Sequence, residues 1–532
     1  MAVRTKIPVN VPGLSSFDKS YKNILTTKVG TITPICSRFL IPNSKGSLKL
    51  AISAALPPLA SDTFMRCDLK VEAFFVPLRL LYGGFESFLT GKKLTDYGNS
   101  LNEVVAAMPR IVIKYSEWSS QKPLLEAGTL CDYLGGRIDT SVAPASGDAD
   151  KYLNLTKFLC YHRIFDDWYR NPKIQRPVFV QPVDINTNSY VPLSSLPYYA
   201  MTYMHDFRLS DTFNDGFYLG SLRQRNYGDD YFTICTPSAQ VGNAQSIDTT
   251  SGSFTIAALR AGNSLQQFAE RSNLGSPRLV DYYKTHYGAD LSSGVAQRAV
   301  LLGSATYPVY SKGIEANAAN TATNNPFTSV GARYGNAYAA GTDFVCNFNV
   351  QEMGYLFVNA TLVPEANYSY GLDKELTMFI QAGSQTDIPD PLLENVGNEP
   401  VYSSELDGHV VGTSRSFIFG YVPRFTHHKT GLNEVHGLLR AGESLASFVA
   451  QRAIIGGTQP PQINSAFLTI PRTALDNVTA VTADLSNYGV WIDSFVDLKV
   501  AEPLVESAMP SLQDPAYEHG KTEYVQINGS RL

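Results

Sequence analysis

Charge is scarce in this 532-residue chain. Asp, Glu, Lys and Arg make up 17% of it, and 43 basic against 48 acidic residues leave a formal net charge of -5. Such a balance excludes a general polyanion coat, so any contact with nucleic acid has to be local. Cysteine is sparse too. Cys36, Cys67, Cys131, Cys160, Cys235 and Cys346 form no CxxC pair and keep no regular spacing, which excludes a zinc module and a dense disulfide scaffold and predicts reduced, buried thiols. No run approaches the ~18 apolar residues of a membrane span, and the opening MAVRTKIPVNVPG has no apolar core of the export type. The expectation is a protein made and kept in a cytoplasm.

Catalytic motifs are missing as well. In GGFESFLTGKK (83–93), Glu86 stands where a phosphate-cradling loop needs its first glycine, and Lys93 where it needs a Ser or Thr. THHKTGLNEVH (426–436) offers His427, His428, Glu434 and His436, but Gly431 and Asn433 argue against one helix presenting them as metal ligands. No GxSxG elbow and no Gly-rich dinucleotide turn occur. The chain therefore reads as a non-enzyme with no cofactor and no metal.

What is abundant is aromatic and turn-forming: 30 Tyr, 27 Phe, 30 Pro and 40 Gly. That composition favours strands broken by turns and long loops. Strand patterns run from TPICSRFLIPNSKGSLKLAIS through DTFMRCDLKVEAFFVPLRLL, resume at DFVCNFNVQEMGYLFVNATLVP and SFIFGYVPRFTHHK, and return in NVTAVTADLSNYGVWIDSFVDLKVAEPL. Between them, residues 80–230 look like inserted material. Residues 236–262 and 304–343, small and polar without a sustained period, predict exposed excursions.

YHRIFDDWYRNPKIQRP (161–177) concentrates acid–base residue types in one stretch. On a helix Tyr161, Phe165, Trp168 and Tyr169 share one stripe, while His162–Asp166, Arg163–Asp167 and Asp166–Arg170 are i,i+4 pairs. The spacing predicts a packing helix with paired charges, ended by Pro172, rather than an active site. Residues 1–30 carry Arg4, Lys6, Lys19, Lys22 and Lys28 against Asp18 alone, a local +4 that leaves the rest of the chain at -9. They predict a basic N-terminal arm on an inner face, touching DNA.

Several stretches resemble, in order, the major capsid protein of the Microviridae, especially its gokushovirus-like members. They are SFDKSYKNILTTKVGTITPI with DTFMRCDLKVEAFFVPLRLL, LCDYLG (130–135), YHRIFDDWYRNPKIQ, SLRQRNYGDDYFTICTPSAQ, FGYVPRFTHHKTGLNEVHGLLR and DSFVDLKVAEPL. The arginine-rich run ahead of DDYFT is reduced here to Arg223 and Arg225. The resemblance implies a mainly β subunit, with residues 31–532 forming a single eight-stranded antiparallel jelly roll with long, partly helical insertions. It also implies self-assembly into a T=1 icosahedral shell around circular single-stranded DNA, built in a bacterial cytoplasm. The implied partners are further copies of the chain, the packaged DNA, a small basic DNA-binding protein, other phage structural proteins and a host receptor. Two rivals survive the residue-level reading: a carbohydrate-binding β protein, and a hydrolase with the 161–177 segment in its site.

Overall fold

The computed structural model describes residues 4–11, 13–61, 63–82, 85–91, 108–142, 150–178, 206–239, 256–275, 278–315, 333–380, 384–409, 413–454, 460–480, 489–504 and 521–528. In chain order its first strands are β1 (Arg4–Val11), β2 (Ser15–Asp18), β3 (Tyr21–Thr27), β4 (Thr33–Leu40), β5 (Lys45–Ala55) and β6 (Cys67–Pro77). Then come β7 (Arg110–Ile113), β8 (Lys151–Asn154), β9 (Asp206–Phe207), β10 (Val300–Pro308), β11 (Tyr310–Glu315), β12 (Arg333–Asn349) and β13 (Gly354–Pro364). The last are β14 (Asn398–Tyr402), β15 (Ile418–Pro423), β16 (Val490–Glu502) and β17 (Lys521–Asn528).

Two antiparallel sheets carry the fold. One runs β11-β12-β5-β16-β2, with β3 beside the other half of β16, and the second runs β10-β6-β13-β4. β3 pairs with β16, β4 with β13, β5 with β12 and β6 with β10. The alternation of β16, VWIDSFVDLKVAE, explains its place: Val490, Ile492, Val496, Leu498 and Val500 enter the core between the sheets, while Trp491, Asp493, Phe495 and Lys499 stay outside. β13 is buried along its whole length. Leu356, Val358, Ala360 and Leu362 join the same core, but Tyr355 and Phe357 enter a second core with Phe158, Leu159 and Ile164 of the helix Thr156–Ile164. A strand covered on both faces can be apolar at nearly every position, and GYLFVNATLVP is. A third cluster, around Phe232, Tyr368, Phe419 and Val422, lies by the β14–β15 hairpin.

Two long excursions leave the sheets, residues 78–299 between β6 and β10 and residues 365–489 between β13 and β16. The first extends beyond the expected 80–230, and the second had no strong signal in the sequence. Residues 304–343 are not the exposed excursion their composition suggests. Their described parts are β10, β11 and the first half of β12. The small residues are packing residues: Ala337 and Ala339 are buried in the core, and a Cβ on Gly341 would collide with the Tyr307 ring. Residues 316–332 lie outside the described residues. So do residues 240–255, while 256–262 open the helix Ile256–Leu274.

Nor are residues 1–30 a free arm. β2 and β3 extend the larger sheet along β16, and β1 pairs with β17. The period-2 burial of β3, with Leu25 and Thr27 inside, fixes it there, and the basic residues had masked that pattern. Gly30, at φ +69°, turns the chain from β3 towards β4, with the Ile470 side chain 2.6 Å from where a Cβ would stand.

Candidate functional site

The 161–177 segment starts as an α-helix and ends in a wider turn. After Thr156–Ile164 the chain forms a π turn over Phe165–Tyr169, in which the Arg170 N–H donates to the Phe165 carbonyl at 3.0 Å. The extra residue in the turn displaces the side chains that follow it. Tyr161, Phe165 and Tyr169 are buried, but Trp168 leaves the expected stripe and is only half-buried, its indole N–H donating to the Ala299 carbonyl at 2.9 Å. Two predicted pairs form, Arg163–Asp167 at 2.9 Å and Arg170–Asp166 at 2.6 Å.

The third does not, because His162 turns inward. Its Nε2–H donates to the Leu219 carbonyl at 2.9 Å, and Nδ1 accepts from Arg223 Nε at 3.0 Å. Since the guanidinium can only donate, this pairing assigns the proton to Nε2. Burial pushes the His162 pKa well below its usual value, the Arg223 charge lowers it further, and the Leu219 carbonyl opposes both. Arg223 is itself enclosed. Its guanidinium meets Asp215 at 2.5 Å and lies 4.5 Å from the Phe217 ring centre. Its backbone N–H donates to Tyr161 Oη at 2.9 Å, and that hydroxyl donates to the Ile32 carbonyl at 2.7 Å. Burial lowers the Arg223 pKa, with Asp215 pulling the other way.

Two further arginines close the turn. Arg278 donates to the carbonyls of Asp167 at 2.6 Å, Asp166 at 2.5 Å and Arg170 at 3.0 Å, and Arg298 also donates to the Asp167 carbonyl. A helix end exposes carbonyls of this kind, and planar guanidinium groups reach several at once. Burial, followed by repulsion from Arg170 and Arg298, lowers the Arg278 pKa to about 10. Arg225, the second arginine of SLRQRNYG, grips Glu72 through bonds of 2.7 and 2.9 Å, and Tyr169 Oη donates to the same carboxylate. Sequence reasoning missed Asp215, Arg223, Arg278 and Arg298 because they lie far along the chain from the helix they hold. The alternating Arg223 and Arg225 were the one available signal. With His162, Arg163, Asp166, Asp167 and Arg170 committed to internal partners, the segment ties the helical insertion to β6, to Ala299 just ahead of β10 and to the β3–β4 turn.

The other candidates separate. His427 Nδ1 lies 3.2 Å from Glu399, and His436 Nε2 lies 3.1 Å from Glu434. Among the described residues no three His, Cys, Asp or Glu side chains are grouped to hold a metal ion. Lys19 pairs with the buried Glu502 at 2.7 Å, and Lys22 pairs with Asp493 at 2.9 Å on the exposed sheet face. Lys28 is half-buried, and desolvation and then Arg472 lower its pKa. Arg4 and Lys6 lie on β1, opposite Asn528 and Gln526 of β17. No described helix is long and apolar enough to cross a membrane.

Residues 6–253 and 249–512 match the phage family described as Capsid protein (F protein). This chain belongs to that capsid protein family. It is 23% identical to the capsid protein VP1 of Chlamydia phage 1, over 82% of this chain and 86% of that protein. It is 21% identical to the capsid protein VP1 of Spiroplasma virus 4, over 93% of this chain and 94% of the relative. A third VP1, from Bdellovibrio phage phiMH2K, is 21% identical over 93% and 95% of the two chains. All three phages are Microviridae. The phage capsid protein described here is thus a structural component of the virion.

Proposed function

We propose that this capsid protein is an eight-stranded jelly-roll subunit that self-assembles into a T=1 icosahedral shell around a circular single-stranded DNA genome, without catalytic activity. The observation that carries the subunit reading is the nesting of its long antiparallel pairs. Of the eight strands β3, β4, β5, β6, β10, β12, β13 and β16, the first pairs with the last, the second with the seventh, the third with the sixth and the fourth with the fifth. A long hairpin rolled into two facing sheets has this order. Family membership supports the shell, and a chain rich in aromatics and poor in charge suits burial between copies.

Its further partners are a small basic DNA-binding protein, other phage structural proteins and a host receptor. Outer loops of the subunit make the host contact. Arg4, Lys6, Lys19, Lys22 and Lys28 are the candidate DNA-facing cations of the N-terminal segment, with Lys19 already neutralised by Glu502. Coexpression with the phage's other structural proteins, followed by sedimentation and electron microscopy, tests this reading. Closed DNA-containing particles of megadalton mass are expected, and a chain that remains a 58.3 kDa monomer under all ionic conditions overturns it.

A further inference from the structure

The outer face of the larger sheet carries four exposed aromatic rings. Tyr310 on β11 stands opposite Tyr338 on β12, Tyr338 opposite Ala55 on β5, and Ala55 opposite Trp491 on β16. The three rings in this row are 58%, 52% and 49% exposed, and Phe495, four positions along β16 from Trp491 and on the same face, is 50% exposed. On the β5 side of Phe495 the face is nearly flat, because Ala51 lies opposite it and Ser53 opposite Asp493 and Ala340, while on the β3 side Lys22 and the exposed Ile24 stand beside it. Five exposed lysines share the face: Lys22, Lys45, Lys49, Lys312 and Lys499. Its acids are Asp18, Asp493 and Asp497, with Lys22 paired to Asp493 and Asp18 beside Lys499. Lys45, Lys49 and Lys312 make no ion pair among the described residues. An excess of lysine on one face of a chain whose net charge is -5 is a local cationic field.

The geometry points to this face as a binding surface for single-stranded DNA, with bases stacked on Tyr310, Tyr338, Trp491 and Phe495 and phosphates held by the lysines. The inference rests on the shell-and-genome reading for the source of the DNA. Adjacent strands lie ~4.8 Å apart, so Tyr338 and Trp491 flank a slot about two strands wide floored by Ala55. Exposed rings over a flat floor take unstacked bases, which a duplex keeps inside. A second copy of the chain fits the face less well, since the cores of protein interfaces are depleted in lysine. Lys22, singled out from the sequence, joins this surface because β3 is a sheet strand.

Fluorescence anisotropy of the unassembled subunit with a labelled oligo-dT, read across a salt series, tests the face. Trp491→Ala and Tyr338→Ala should each weaken binding about tenfold, the effect of losing one stacked base. The double variant Lys45→Gln/Lys49→Gln should flatten the log-log salt slope by roughly 1.4. Trp491→Phe should retain most of the affinity, and unchanged thermal melting of each variant shows that the subunit is folded. Unchanged affinity and slope in these folded variants overturn the inference. Ultraviolet cross-linking of DNA-filled particles supplies the second arm, with cross-links expected on Tyr310, Tyr338 and Trp491. Filled particles that cross-link only through other surfaces overturn the inference and leave the shell standing. Subunits that bind oligo-dT through this face yet never form particles overturn the shell and leave the surface. Protection of the face in DNA-free particles, equal to that in filled ones, makes it a contact between copies.

Discussion

Arg223 Nε donates to His162 Nδ1 across 3.0 Å, and neither side chain reaches solvent. A permanent cation and an ionisable base can share such a site only while the base stays neutral. This places the histidine, which the sequence offered for acid–base work, in a structural role with a pH signature.

The signature has a definite sign. In the unfolded chain the imidazole titrates near 6.5, whereas in the fold its pKa lies well below that. The unfolded state therefore binds more protons in that window, so the stability His162 contributes is complete above pH 6.5 and is lost as pH falls towards the folded-state value. Thermal melting from about pH 7.5 down to about pH 5 should show that loss. His162→Gln can accept from Arg223 and donate to Leu219, and it should flatten the slope. Equal slopes in the two proteins would assign the acid sensitivity to other groups.

Asp215 is the only acid bonded to the enclosed Arg223 among the described residues. Asp215→Ala leaves a buried cation without its counter-charge and should cost about 3–5 kcal/mol in urea unfolding of the unassembled subunit. Replacing both partners, as in Asp215→Leu with Arg223→Met, should cost less than the single change. A larger loss in the double variant would show that the cation–π packing matters more than the ion pair.

Trp168 separates hydrogen bonding from packing. Trp168→Phe removes the bond to the Ala299 carbonyl and should cost about 1 kcal/mol. Trp168→Ala also removes the contacts with Phe74 and with Arg298, whose guanidinium lies 4.4 Å from the ring centre. Because the ring is only partly buried, the loss should be about 2–3 kcal/mol, at or below the low end for an enclosed aromatic. Indistinguishable unfolding curves for Trp168→Ala and the parent would show the π turn to be held by its arginines alone.

All six cysteines are free and buried, and burial raises their thiol pKa values, that of Cys131 to about 12. A maleimide reagent at neutral pH should leave the native protein essentially unlabelled and modify all six thiols after denaturation. Rapid labelling of any cysteine in the native protein would contradict the packing at that position.

Much of this protein was legible in its sequence because the deciding interactions are local. The alternation of VWIDSFVDLKVAE fixes which face of β16 is buried, and the spacing of Arg163, Asp166, Asp167 and Arg170 fixes two helical ion pairs. The scattered cysteines already spoke for free, buried thiols. Only the tertiary structure decided the rest, because it depends on residues that meet across long loops. Ala337, Ala339 and Gly341 read as loop composition until Tyr307, on the facing sheet, is seen to need the space. His162 read as a partner for Asp166 until Arg223, sixty-one positions away, claimed its Nδ1. Lys22 read as part of a loose basic arm until β16 paired with β3 and set it beside Phe495. Periodicity reports which way a side chain points relative to its own backbone. Pairing between distant strands determines what it meets there.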